Sequence, residues 1–269
     1  MCENMIKDLY GLMLRYGFKP DHKLDQNFCV DDDVIKKVIS LLEVQPDDVV
    51  LEIGPGLGFL TKELVTRAKK VIAIEKDPVM VNILKQEITE ENLEVIEDDF
   101  LNIEINKLKP TKIVGFIPYS ISQEIMEKIN ATVPSVIVVQ REYAEKLTAF
   151  EGYSNYVAQS VLAQSYGNVF IEKTIKRNAF YPVPPCESAV VGITPKEKKQ
   201  DKEYNEFVKE IFRYPNKDLG NALSFGKKEA GSIFNKIDES KLTDRVKTQK
   251  VKSISVREIK EIYKKITSK

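Results

Sequence analysis

The chain holds a single histidine, His22, and three cysteines, Cys2, Cys29 and Cys186, which lie far apart and never as CxxC. That scarcity argues against a zinc site, and no metal is expected. It also removes Ser-His-Asp and Cys-His nucleophile chemistry, unless His22 sits in a cleft. No apolar run approaches the roughly 20 residues that a bilayer-spanning helix needs, so no membrane partner is expected. The opening segment MCENMIKDLYGLMLRYG mixes acids with apolar residues and lacks the basic-then-apolar order of a signal peptide. It reads as a short amphipathic helix in a cytoplasmic protein. There is no internal repeat, and no net charge: 41 Lys+Arg balance 41 Asp+Glu. The balance is uneven along the chain, because residues 196–269 carry 20 Lys+Arg against 12 Asp+Glu. Such an excess is either a solvated helical surface or a phosphate-facing module.

What is present is a soluble globular composition, 42% hydrophobic and 30% charged, over 269 residues. That length suits one large domain and a smaller one. Residues 34–42 (VIKKVISLL) follow Asp31-Asp32-Asp33, a cluster able to cap a helix and complement its dipole. Buried strands are read at 49–53 (VVLEI) and 71–75 (VIAIE), with a helix in FLTKELVTRA between them. The alternation continues through a helix near 78–89, strands near 93–96 and 113–116, a helix near 121–130 and a strand at 136–140 (VIVVQ). This order predicts a parallel sheet covered by helices. NVFIEKTI and SAVVGITP then read as antiparallel strands finishing one edge, and KEKKQDKEYN as a linker. Beyond it, EYNEFVKEIF, KDLGNALSF and SVREIKEIYKKI are helical in pattern. The last opens with a Ser255-x-x-Glu258 capping box and sets Val256, Ile259, Tyr263 and Ile266 on one stripe. The predicted fold class is α/β. Residues 1–195 form a Rossmann-like domain, of which 1–33 are an N-terminal extension and capping segment, and 196–269 form a small, basic helical domain.

Glu52-Ile53 leads into Gly54-Pro55-Gly56-Leu57-Gly58, a glycine loop between strand and helix where the backbone can approach a ligand. A dinucleotide fingerprint requires GxGxxG, yet position 59 is Phe. E-x-G-x-G-x-G is instead the methyltransferase pattern. Glu75 ends the second strand, placed to accept hydrogen bonds from both hydroxyls of a ribose. Asp98-Asp99 closes the third.

Five segments carry a family likeness: Asp25-Gln26-Asn27-Phe28-Cys29, LEIGPGLGFLT, Asp98-Asp99-Phe100-Leu101, Phe116-Ile117-Pro118-Tyr119 and QREYAEKL. Together they resemble the rRNA adenine N6,N6-dimethyltransferases, in order from about residue 22 to about 193. FYPVPPCESAVV at 180–191 resembles the family's F-x-P-x-P segment. The resemblance implies S-adenosyl-L-methionine as cofactor and methylation, with dimethylation the family's outcome, of adenine N6 in structured small-subunit ribosomal RNA. It further implies a role in ribosome biogenesis; the sequence carries no signal of oligomeric state, and a monomer is the default expectation. Asn27 and the backbone of Cys29 would meet the methionine end of the cofactor beside Gly54 and Gly56, Glu75 would hold the ribose and Asp99 the adenine. Phe116, Ile117, Pro118 and Tyr119 would form the catalytic segment, Phe116 also touching the cofactor. Tyr119 would stack on the substrate base, and Phe180 would either cover its other face or pack in the core.

Adenine N6 is a poor nucleophile because its lone pair is delocalised into the ring. Acceptors that bind both N6 protons favour a pyramidal nitrogen, and an aromatic face holds the extruded base in line. Three departures from the family pattern bear on this. Phe116 stands where Asn is usual, Asp25 and Asp98 stand where glycine is favoured, and Arg213-Tyr214-Pro215-Asn216-Lys217 is less basic than the usual stretch. Two other readings stay open on sequence alone: an RNA-binding or ribosome-assembly factor that retains a cofactor pocket, and a small-molecule methyltransferase.

Overall fold

The computed structural model describes residues 2–129, 133–196, 201–229 and 234–268. Residues 197–200 of the expected linker lie outside these, as does residue 130 at the end of one expected helix. The strands are β1 (Phe28–Cys29), β2 (Val49–Ile53), β3 (Lys70–Glu75), β4 (Leu93–Glu97), β5 (Lys112–Phe116), β6 (Ser135–Gln140), β7 (Gly167–Ile175), β8 (Phe180–Tyr181) and β9 (Ser188–Pro195). The α-helices are α1 (Cys2–Tyr16), α2 (Asp32–Leu42), α3 (Phe59–Val65), α4 (Pro78–Glu87), α5 (Ile105–Leu108), α6 (Ser122–Ile129), α7 (Arg141–Leu147), α8 (Ala158–Tyr166), α9 (Lys202–Ile211), α10 (Leu219–Glu229), α11 (Asp244–Lys247) and α12 (Val256–Thr267).

By its contacts the chain divides into two compact units. The first is Met1–Ala144 with Phe170–Thr194, and the second is Glu145–Val169 with Pro195–Lys269. The first unit contains a seven-stranded sheet in the order β4-β3-β2-β5-β6-β9-β7. β2, β3, β4, β5 and β6 pair in parallel, and β9 runs antiparallel to β6. β2, β3 and β6 are apolar along nearly their whole length because helices cover both faces of a parallel sheet. Strand order reverses between β2 and β5, and at such a switch point the loops beyond the strand ends part to leave a crevice. The glycine loop and the Phe116 segment both leave from that point.

The caps are local consequences of sequence. Asp31 accepts from Asp33 N and Val34 N to start α2, and Asp77 with Pro78 starts α4. α1 lays Leu9 and Leu12 against Phe18, Phe28, Leu57, Met80 and Ile83, and Arg15 and Tyr16 both bind Glu87 at the end of α4. This packing fixes the segment before β1 over the glycine loop. β1 is in turn pinned by β8, Cys29 opposite Phe180.

The second unit takes in α8 as well as the tail expected from residue 196. α8 buries Val161, Leu162, Ser165 and Tyr166 and packs on α9 and α12. Ser165 Oγ and the Tyr204 hydroxyl lie 2.8 Å apart, and Tyr156 donates to Ile254 O at 3.0 Å. The capping box of α12 forms, but its buried stripe is Ile259, Ile262, Tyr263 and Ile266; Val256 sits at the first turn, only partly covered.

Candidate active site

The loop after β2 turns at three glycines with positive φ: Gly54 (63°), Gly56 (56°) and Gly58 (76°). The Phe28 ring lies so close that a Cβ at residue 56 would meet it at 3.1 Å, so the loop is both left-handed and tightly covered. Gly54 N donates to Ile74 O at 3.0 Å, tying the loop to β3. Glu75, at the end of β3, is 9% exposed and accepts from three backbone amides: Gly56 N at 3.0 Å, Lys76 N at 2.8 Å and Asp77 N at 2.9 Å. Burial pushes this carboxyl above its ordinary range, and the amides pull the other way.

These groups line a cavity of about 280 Å³. Of the sequence-derived cofactor residues, Asn27, Cys29, Gly54, Gly56, Glu75, Asp99 and Phe116 all reach it. Asn27 Nδ2 donates to Asp25 O at 2.9 Å. Asp99 caps the short turn at Phe100–Asn102 through Leu101 N and pairs with Lys76 Nζ at 2.7 Å, and that contact holds its carboxyl below its ordinary range. Gln26 donates to Asp77 Oδ2 at 2.6 Å and so holds the extended segment against the end of β3.

Glu52 also lines this cavity. It is 1% exposed, and its Oε2 has no hydrogen-bond partner. Desolvation, with the charge of Glu75 adding to it and the Thr61 hydroxyl opposing it, pushes its pKa up to about 8. The signal was readable, a single acid in the apolar strand VVLEI, but its role depends on burial that only the fold imposes. An unfolded Glu ionises near 4.3, so between about pH 4 and pH 8 the folded state holds the extra proton and stability falls as pH rises. Glu52→Gln is therefore expected to remove a pH-dependent loss on the order of 4 kcal/mol, read as the wild-type-minus-variant difference in urea stability at pH 5 and pH 8. Parallel curves would mean that Glu52 ionises normally.

A second cavity, about 440 Å³, is lined by His22, Asp25, Asn27, Tyr119, Ser120, Gln140, Val183, Pro184 and Pro185. It shares Asp25, Asn27 and Ser120 with the first. Tyr119 belongs to it, with its hydroxyl 2.5 Å from Ser188 Oγ on β9. Phe116 lies in the first cavity wall, and Phe180, 4% exposed, packs edge-on behind it at 6.3 Å between ring centroids. Of the four-residue segment, Ile117 is buried and its N–H donates to Val138 O, and the Pro118 carbonyl accepts from Ser122 Oγ at 2.9 Å. His22 is an exposed residue at the rim of this second cavity. Gln140 and Ser188 were not singled out, although they lie within QREYAEKL and FYPVPPCESAVV, because only the pairing of β6 with β9 brings them beside Tyr119.

The chain matches the family model for ribosomal RNA adenine dimethylase over residues 17–264. It is 41% identical over 218 residues to a Pyrococcus abyssi protein named "Probable ribosomal RNA small subunit methyltransferase A", covering 80% of each chain. A Methanopyrus kandleri protein of the same name is 36% identical over 255 residues, covering 89% of this chain and 91% of that one. Among solved structures, a dimethyladenosine transferase from Plasmodium falciparum superposes with a TM-score of 0.73 at 23% identity, over 86% of this chain and 94% of that one. The 23S rRNA methyltransferase ErmE superposes at 0.64, also at 23% identity, over 90% of this chain and all of that one. At that identity the two structures speak to the fold alone.

Proposed function

This chain belongs to the ribosomal RNA adenine dimethylase family, and from that premise we propose that its two adjoining cavities hold the two reactants of one methyl transfer. It is an S-adenosylmethionine-dependent enzyme that methylates adenine N6 in ribosomal RNA. The finer reading is a monomer acting in the cytoplasm on the small ribosomal subunit, the RNA in the names of its relatives. The observation that carries the site assignment is the shared wall. Asp25, Asn27 and Ser120 border both the glycine-loop cavity and the cavity containing Tyr119.

The first cavity fits a cofactor that is cationic at one end and a nucleoside at the other. Glu52 supplies a buried carboxyl with an unpartnered oxygen, which is protonated in the empty site and would ionise against a bound positive charge. Glu75 keeps lone pairs beyond its three amide bonds for a ribose diol. Asp99, negative beside Lys76, is an acceptor for an exocyclic amine. Asn27 and the Cys29 backbone border the methionyl end in this assignment, next to Gly54 and Gly56. Bound there, S-adenosylmethionine supplies a methyl group on positively charged sulfur, electrophilic enough for a neutral nitrogen to take directly.

The protein's task is then to present that nitrogen. Tyr119 offers a ring face to an extruded adenine, its hydroxyl held by Ser188. The carbonyls of Phe116 and Ile117 would be backbone acceptors for the N6 protons, while the Pro118 carbonyl holds Ser122 Oγ. Phe180 supports the Phe116 ring from behind in this reading and does not face the base. Residues 196–269 of the second unit would meet RNA phosphates with their excess of lysine and arginine.

The test is transfer of tritiated methyl from S-adenosylmethionine to undermethylated small ribosomal subunits, followed by nucleoside analysis. Label is expected in N6-methylated and N6,N6-dimethylated adenosine. Label confined to another nucleoside, or none while the cofactor binds, would overturn the reading.

A further inference from the structure

Asp25 occupies an unusual position. It has a left-handed backbone, φ 52°, which costs any residue with a Cβ and which glycine adopts freely. It closes the short turn His22–Leu24, its N–H donating to His22 O, a place where glycine would serve. Asp25 nevertheless borders both cavities, and its Oδ2 accepts from Ser120 N at 2.9 Å, in the segment that follows Phe116-Ile117-Pro118-Tyr119. That hydrogen bond uses one lone pair of a group that has about four, so the carboxylate keeps acceptor capacity toward the cavities.

The groups around it narrow the choice. Among the side chains common to both cavities, Asn27 donates its amide N–H to the Asp25 carbonyl, and Ser120 brings a hydroxyl. Asp25 is the one with an acceptor-only carboxylate. Phe116, at the end of β5 in the wall of the first cavity, has no side-chain acceptor. Asp25 and Phe116 are both departures from the pattern the chain resembles, and they border the same cavity.

We propose that the Asp25 carboxylate is a catalytic residue of this enzyme, the side-chain acceptor that binds a proton of adenine N6 during methyl transfer. This rests on the rRNA adenine methyltransferase reading above. The N6 lone pair forms the new C–N bond as the C–S bond breaks, and the bonding pair stays on sulfur, leaving a neutral thioether. The nitrogen, now positively charged, releases the proton held against Asp25, which passes it to water. One proton leaves for each methyl added. A held carboxylate both draws the lone pair out of conjugation and stabilises the charge that develops on nitrogen.

The experiment compares wild type, Asp25→Asn, Asp25→Gly and the double variant Asp25→Gly/Phe116→Asn. It measures turnover on small subunits, S-adenosylmethionine affinity by calorimetry and thermal unfolding. Asp25→Gly is expected to lose about 100-fold in turnover. Its cofactor affinity should stay within about twofold and its melting temperature should change little, because relief of the left-handed backbone offsets loss of the hydrogen bond from Ser120 N. Asp25→Asn, which keeps one acceptor oxygen, should fall between. Adding Phe116→Asn to Asp25→Gly should recover about tenfold by returning a side-chain acceptor from the other wall. Wild-type turnover in Asp25→Gly would overturn the proposal, and so would a loss matched by weakened cofactor binding, which would make Asp25 a turn residue only. An inert wild type would defeat the methyltransferase reading itself and the role of Asp25 with it, an outcome distinct from an active wild type with an equally active glycine variant.

Discussion

Glu75→Ala is expected to weaken S-adenosylmethionine binding by at least about 100-fold and to reduce methyl transfer to RNA by about 1000-fold. The carboxylate holds the amides of Gly56, Lys76 and Asp77 at the end of β3, at a position only 9% exposed. Truncation leaves three poorly hydrated N–H groups without partners, at about 1–3 kcal/mol each for groups that water does not reach. It also removes the acceptor assigned to the ribose. The glycine loop, with three left-handed residues, has few other restraints besides Gly54 N to Ile74 O and Gly58 N to Pro55 O. Calorimetry for the cofactor and label transfer for the reaction check this, with far-ultraviolet circular dichroism to confirm that the sheet persists. Glu75→Gln keeps one acceptor oxygen but presents an amide N–H to one of the donors, so an intermediate loss is expected. Cofactor binding within threefold of wild type in the alanine variant would remove Glu75 from the cofactor site.

Tyr119→Ala should act on the other reactant. Tyr119 borders the second cavity and not the first, so cofactor affinity should be unchanged while kcat/KM for RNA falls by about 100-fold. Stacking of one base on an aromatic ring accounts for about 1–3 kcal/mol of this, and loss of alignment with the methyl group for the rest. Tyr119→Phe keeps the ring and loses only the contact with Ser188, so it should stay within about tenfold of wild type. Equal losses in the two variants would show that the hydroxyl matters and that the ring face does not.

These two residues differ in how far they could be read in advance. Glu75 follows from a count along the chain, an acid ending the strand after a glycine loop. So do the caps at Asp31 and Ser255, whose partners lie within three residues. Tyr119 was readable as a type of residue in a segment of known pattern, but its partner Ser188 is 69 positions away and joins it through the antiparallel pairing of β9 with β6. Phe180 was balanced between core and base, and its burial behind Phe116 came from the pairing of β8 with β1. The membership of α8 in the second unit was hidden for the same reason, since its buried face meets α9 and α12 far along the chain.

By itself the sequence determined the α/β alternation, the glycine loop between strand and helix, and the helix starts. Each of these rests on periodicity, backbone conformation or spacing within a few residues, which neighbouring side chains decide before any long-range contact forms. Only the tertiary structure decided that Glu52 is a buried acid with an oxygen unpartnered. The same holds for Asp25, Asn27 and Ser120 bordering two cavities at once. The physical reason is that desolvation and shared walls belong to no single segment. They arise where strand order reverses between β2 and β5, when chain ends from residues 22–29, 52–58, 75, 99 and 116–120 are brought to one edge of the sheet.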